Sequence, residues 1–278
     1  LNQIIKNGKL KFEVNINFDE NGKIKNNYKI IGEAKNIDFR ILKYQNIKSL
    51  NFEFDIKENI YDFTEASVNI NDIKFKSDKI SVLKEKKNFF IEGSLNSKTQ
   101  KLNENFIKLI TDLNFKNLEL IDKKFSTNTD FSFRINNKFK ISELNYNSKV
   151  KIDELKLHYK NQLLKKIFKD YKKSILIKDN KFYINYSNNK FNIKGESKYT
   201  IKDNNTNLFN FEITKEKKKY NYDIFIDLTN QQLEFYELDY LKESKTKSSL
   251  KIKGQLKKNL IDINNILFTE GKNFATIN

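Results

Sequence analysis

Apolar residues recur at every second position along much of the chain. Leu10, Phe12, Val14, Ile16 and Phe18 fall on one side of such a run, and Lys11, Glu13, Asn15 and Asn17 on the other. A period of two predicts a strand with one face buried and one wet. Asp19-Glu20-Asn21-Gly22 then reads as a turn, and the next strand carries Tyr28 and Ile30. The same alternation returns at Leu50, Phe52, Phe54, Ile56; at Val68, Ile70; at Phe131, Phe133, Ile135; and at Phe139, Ile141. It resumes at Val150 and Ile152, at Phe182, Ile184, Tyr186, at Phe209, Phe211, Ile213, and at Tyr220, Tyr222, Ile224, Ile226, Leu228. Short strands at regular spacing, with no βαβ rhythm, predict an all-β, antiparallel architecture.

One phrase is written four times: apolar, any residue, Ile, any residue, Gly. The copies end at Gly32, Gly93, Gly195 and Gly254, and only seven glycines exist in the chain. A residue without a Cβ in this place suggests the end, kink or bulge of a strand. The intervals of 61, 102 and 59 residues suggest a repeating unit of several strands, with insertions in the longer gap. Two segments inside that gap have helical spacing: 103–113, with Phe106, Ile107, Ile110 and Leu113, and 161–174, with Leu163, Leu164, Ile167, Phe168 and Tyr171. The second is basic, through Lys165, Lys166, Lys169, Lys172 and Lys173. Such a helix can lie on an anionic bilayer, though more often it covers an end or face of its own sheet. No linker composition marks a domain boundary, so residues 1–278 read as one repetitive β-rich segment.

Composition narrows this picture. Hydrophobic residues make up 38% and charged residues 32%, so apolar groups must be concentrated on one face. Disorder is disfavoured by 24 Phe and 13 Tyr. The net charge of +17 would suit nucleic acid or an anionic membrane surface. However, the surplus of Lys, Asn, Ile, Phe and Tyr, with no Pro, Cys, Met or Trp, is also what AT-rich codons impose. The chain begins Leu1-Asn2-Gln3, which leads us to expect a piece of something longer.

No catalytic constellation is legible, and we expect neither an enzyme nor a cofactor. His158 is the only histidine, there is no Cys, and no phosphate-binding glycine loop or EF-hand occurs. Asp153 with Glu154 and Glu237 with Asp239 sit between apolar strand positions and are expected to face water. Nucleic-acid binding by base stacking is disfavoured, because it needs aromatics and Lys on one surface, and the alternation places them on opposite ones.

Long alternating strands, the repeated Ile-x-Gly phrase and Asn-rich turns together resemble the AsmA-like family, which includes TamB and the YhdP-type proteins of the Gram-negative envelope. Asn69-Ile70-Asn71-Asp72-Ile73-Lys74-Phe75 and Asn259-Leu260-Ile261-Asp262-Ile263-Asn264-Asn265-Ile266 look similar to that family's passages from one strand through a turn to the next. The resemblance implies an elongated, twisted antiparallel sheet forming an open apolar groove. It also implies a periplasmic part of a protein held in the inner membrane by an anchor outside this segment, with an outer-membrane partner. Phospholipid acyl chains would pass along the groove between the two membranes.

Physical chemistry makes that reading economical. Exposing a 16-carbon acyl chain to water costs roughly 0.8 kcal/mol per methylene, or about 13 kcal/mol in all. An apolar groove lowers that barrier without any catalytic group. Phe12, Val14, Ile16, Phe52, Phe54, Phe131, Phe133, Tyr222, Ile224 and Ile226 are the expected lining. The alternative from alternation alone is a closed sandwich or barrel that fills its own interior, serving as a structural interaction domain or a basic nucleic-acid binder.

Overall fold

The computed structural model describes residues 5–25, 27–39, 47–101, 118–121, 124–138, 140–159, 162–168, 174–201, 206–216, 219–257 and 260–278. The predicted helix at 103–113 lies outside them. Strands dominate: β1 (Ile5–Asn15), β2 (Lys29–Phe39), β3 (Ile47–Lys57), β4 (Ile60–Ile70), β5 (Ile73–Lys84), β6 (Asn88–Lys101), β7 (Leu118–Ile121), β8 (Lys124–Asn136) and β9 (Ile141–Tyr159). They continue as β10 (Ser174–Ser187), β11 (Lys190–Thr200), β12 (Thr206–Glu216), β13 (Lys219–Asp227), β14 (Leu233–Phe235), β15 (Tyr240–Lys242), β16 (Ser248–Lys257), β17 (Leu260–Glu270) and β18 (Asn273–Ile277).

Fifteen of these form one antiparallel sheet in nearly sequential order, with β7 beside β9 and with β14 and β15 making a separate ribbon. The sheet does not close, so the barrel and sandwich alternatives are set aside. The chain divides into two compact units, Leu1–Gln100 with Ser126–Ser148, and Lys101–Phe125 with Lys149–Asn278.

Asparagine does the turning. Asn71 and Asp72 link β4 to β5 at φ 49° and 66°, and Asn188 and Asn189 link β10 to β11 at φ 51° and 61°. Two successive left-handed residues give the tight turn whose twist matches antiparallel strands, and Asn and Asp tolerate it best after Gly. The Asn69–Phe75 passage is thus a strand end, turn and strand start. In the other passage, Leu260–Ile266 lies wholly within β17.

Several strands contain a phase slip. On β4, Tyr61 and Phe63 are odd-numbered, whereas Val68 and Ile70 are even, so an unbroken pleat would send the two pairs to opposite faces. Glu65, at φ 49°, sits between them and re-aims the chain. Asn36, at φ 53°, does this between Ala34 and Ile37, and Asp179, also at φ 53°, does it between Ile177 and Phe182. The neighbouring Asn180 is buried and donates from Nδ2 to the carbonyls of Ile152, at 3.0 Å, and Ile177, at 3.3 Å. Those bonds tie the slipped segment of β10 to its own backbone and to β9.

Few large apolar side chains are fully buried. In the second unit Tyr199 and Ile201 are, packed by Phe168, Ile175, Ile177, Phe209 and Ile226. The helix expected over 161–174 appears as Gln162–Ile167, and Phe168 bridges to the buried Leu233 of the β14–β15 ribbon. Helix and ribbon therefore cover one end of their own unit's strands.

Candidate functional site

Facing residues of adjacent antiparallel strands point to the same side, so the strand register draws each face row by row. In the second unit one row reads Phe182, Gly195, Phe211, Ile224, Ile252, Ile266, and the next Ile184, Ile193, Ile213, Tyr222, Gly254, Ile263. Each row is apolar from end to end, apart from the Tyr222 hydroxyl. The row on the reverse face reads Tyr183, Lys194, Glu212, Asp223, Lys253, Asn265, with ion pairs Lys194–Glu212 at 3.4 Å and Lys253–Asp223 at 3.1 Å. Over these rows one side of the sheet is hydrocarbon and the other is a charge ladder; one row further along the apolar side, Lys215 lies over the Tyr220 ring at 4.8 Å.

The first unit repeats this. Phe12, Gly32, Phe54, Phe63, Ile80 and Gly93 form one row, and Val14, Ile30, Ile56, Tyr61, Val82 and Ile91 the next. Lys11, Glu33, Glu53, Thr64 and Lys79 lie on the reverse face.

The phrase glycines neither end nor begin strands; each stands inside one, opposite a large side chain. Gly32 faces Phe54, Gly93 faces Ile80, Gly195 faces Phe211 and Gly254 faces Tyr222. A Cβ at these positions would come within 2.7 Å of Phe54 Cζ, 2.9 Å of Ile80 Cγ1, 2.5 Å of Phe211 Cζ and 2.5 Å of Tyr222 Cζ. Glycine thus gives the neighbour's side chain room to lie flat across the strand. Tyr222 reaches over Gly254 and donates its hydroxyl to the Asp262 carbonyl on β17, at 3.1 Å. The similar glycine intervals of 61 and 59 residues are not one structural repeat. From Gly32 to Gly93 the sheet advances four strands, but from Gly195 to Gly254 only three, the ribbon taking up the remaining residues.

The expected lining residues fall unevenly on these rows. Phe12 and Val14 lie on the apolar face of β1, 57% and 41% exposed. Ile16 lies beyond the end of β1, at Asn15, and is outside the sheet; Phe18 instead bridges to Ile24 across a turn held by Asp19. Phe52 and Phe54 are half-buried, with Phe52 edge-on to Phe63 at 5.3 Å. Phe131 and Phe133 stack at 6.0 Å on β8. They alternate with Arg134, whose guanidinium lies over Phe90 on the face away from Ile91, so both phenyl rings belong to the Ile91 face. Tyr222, Ile224 and Ile226 are half-buried on β13. Sequence reading missed Ile80, Val82, Ile252, Ile263 and Ile266, which only register assigns to these rows.

Other chemistry is sparse. His158 stands opposite Glu119, in a half-buried position. Among the described residues no group of three His, Cys, Asp or Glu could hold a metal ion. Arg134 is clamped between Glu85, whose Oε2 it meets at 3.1 Å, and Glu143, and hydrogen bonding to Glu85 raises its pKa. An open cleft of about 450 Å³ in the first unit is bordered by Lys79, Ser81, Glu92, Asp130 and Asn145. Phe131 and Tyr146 also line it, and its Ser81 hydroxyl donates to Asp62 at 2.7 Å. Among the described residues no helix is long and apolar enough to cross a membrane.

Comparison with protein-family models, with curated proteins and with solved structures returns no match.

Proposed function

We propose that this chain is a non-enzymatic lipid-binding segment of a cell-envelope protein, and that its apolar sheet face conducts phospholipids between the inner and outer membranes. The observation that carries the reading is the incomplete cover of that face. Of the row Phe182, Gly195, Phe211, Ile224, Ile252, Ile266, only the glycine is buried. In a sheet whose face is packed against a second layer, such residues form the dry core. A continuous apolar face left half-open is a surface for a ligand or partner. Acyl chains suit it because they need no hydrogen-bonding groups, and six strands spaced at about 4.8 Å offer roughly 24 Å of hydrocarbon along one row. The resemblance to AsmA-like proteins points the same way and supplies the envelope setting, the anchor outside this segment and the outer-membrane partner. Most lysines of these strands lie on the reverse face from the aromatic rows, which weighs against nucleic acid, although Lys215 sits over the Tyr220 ring on the apolar side.

Lipid extraction of the purified protein, followed by mass spectrometry, tests the reading. Stoichiometric phospholipid in the wild type, lost in Ile224→Asp with the sheet retained by circular dichroism, supports it. Absence of lipid, with salt-sensitive retention of a generic oligonucleotide, would replace it with the nucleic-acid reading.

A further inference from the structure

We propose that Lys215, and Lys84 in the first unit, receive the phosphate of an anionic phospholipid whose acyl chains lie on the apolar sheet face. This deepens the lipid-binding reading, on which it rests, by assigning the headgroup end of the ligand. Register puts both lysines on the apolar side, each at the last or second-last residue of its strand. Lys215 stands between Phe191 and Tyr220, two residues beyond Ile213, and its ammonium lies 4.8 Å from the centre of the Tyr220 ring. Lys84 stands opposite Phe89, two residues beyond Val82, and the Phe89 ring is 6.4 Å from that of Tyr61 on the neighbouring apolar row. Each unit thus sets a lysine across from an aromatic ring where an apolar row ends.

The two ends of the apolar face differ. Along β11 in the second unit, the side chains on this side pass from the half-buried Phe191 to the buried Tyr199, and Ile201 is buried beyond it. That far end is packed by Phe168, Ile175, Ile177, Phe209 and Ile226. A ligand on this face therefore meets covered hydrocarbon at one end and an ammonium at the other. The stretch of β12 from Lys215 to Phe209 is about 20 Å long at the usual rise per residue. Acyl chains of one leaflet occupy about 15 Å, half the hydrocarbon thickness of a bilayer.

Neighbouring carboxylates do not cancel these cations. Glu85 is held by Arg134, whose guanidinium lies on the other face, and Glu212 is held by Lys194. Segments 84–87 and 215–219 carry three and four lysines against one glutamate each. Glu58, in the turn whose Asn59 carbonyl accepts from the Lys84 amide, adds one opposing charge and leaves that excess positive. A lysine stem lying on an aromatic ring keeps its ammonium at the water boundary, where a phosphate ester can accept from it. A headgroup of net negative charge fits this end better than a choline, whose own cation would be set against the lysine.

Incubation of the full chain with vesicles of equal phosphatidylglycerol and phosphatidylcholine, re-isolation by gel filtration and mass spectrometry of the retained lipid test this. We expect phosphatidylglycerol to be enriched roughly fivefold, the worth of a partly exposed ion pair. The enrichment should vanish in Lys84→Gln/Lys215→Gln with total lipid retained, and persist in Lys84→Arg/Lys215→Arg. Retained lipid without class preference in the wild type, or enrichment surviving in the glutamine variant, would overturn the headgroup assignment and leave the acyl-chain reading standing. Equal loss of enrichment in Lys194→Gln/Lys253→Gln, on the charge ladder, would overturn it in favour of general surface charge. No retained lipid in the wild type would overturn both readings.

Discussion

Phe211 faces Gly195 across the β11–β12 ladder, and its ring occupies the space that a side chain at Gly195 would need. The glycine is thus a packing residue within a strand, and its role is sensed through its neighbour. Gly195→Ala should destabilise the protein by about 1–3 kcal/mol, the usual cost of forcing a methyl into a filled site. Gly271→Asn should stay within about 0.5 kcal/mol, since surface changes away from special features are near neutral and Asn tolerates the left-handed region. Gly271 has φ 57°, and a Cβ added there would meet nothing within 4 Å. Urea unfolding of both variants checks the ranking.

Much of this was legible in the alternation, which marks β1, β3, β10, β12 and β13 and the apolar side of each. The phase slips were not. Val68 and Ile70 read as a short strand of their own, whereas β4 runs unbroken from Ile60 to Ile70 and takes in Tyr61 and Phe63 on the other side of Glu65. A single strand carries no record of its partner, so Gly195 looks like a terminator until Phe211 is placed beside it. Lys242 was equally hidden, one cation among 53 Lys and Arg, because its burial depends on a ribbon that no periodicity announces.

Lys242→Ala should cost about 2–4 kcal/mol, because it leaves one buried and one part-buried carbonyl without their charge-assisted partner. The carbonyls are those of Gln231 and Glu243. Lys253→Ala, which breaks only the exposed pair with Asp223, should cost under about 1 kcal/mol. Thermal unfolding of the two variants separates them. Equal shifts would remove Lys242 from its place as the anchor of the ribbon.

Acid should weaken the first unit partly through Asp62. Burial raises its pKa, but the hydrogen bond from Ser81, at 2.7 Å, and the Lys79 ammonium, at 3.0 Å, outweigh this and leave it below its ordinary 3.8. A carboxylate lowered in the folded state adds stability that is fully present above its unfolded pKa. That stability is lost as pH falls through the folded one. Carboxyl NMR titration should show the Asp62 midpoint moving upward in Ser81→Ala, and Asp62→Asn should lose less stability than wild type between pH 5 and pH 2 in steps of about one unit.

The central claim is that lipid meets one face of the sheet and not the other. Photo-reactive benzoylphenylalanine placed at Phe12 or at Ile263, which is 51% exposed, samples the apolar rows, and the same probe at Lys253 samples the charge ladder. Irradiation in cells producing the full-length protein, followed by mass spectrometry of the adducts, should give phospholipid cross-links at Phe12 and Ile263 and none at Lys253. Equal labelling of both faces, or no lipid adduct at either apolar position in a folded protein, would contradict the account.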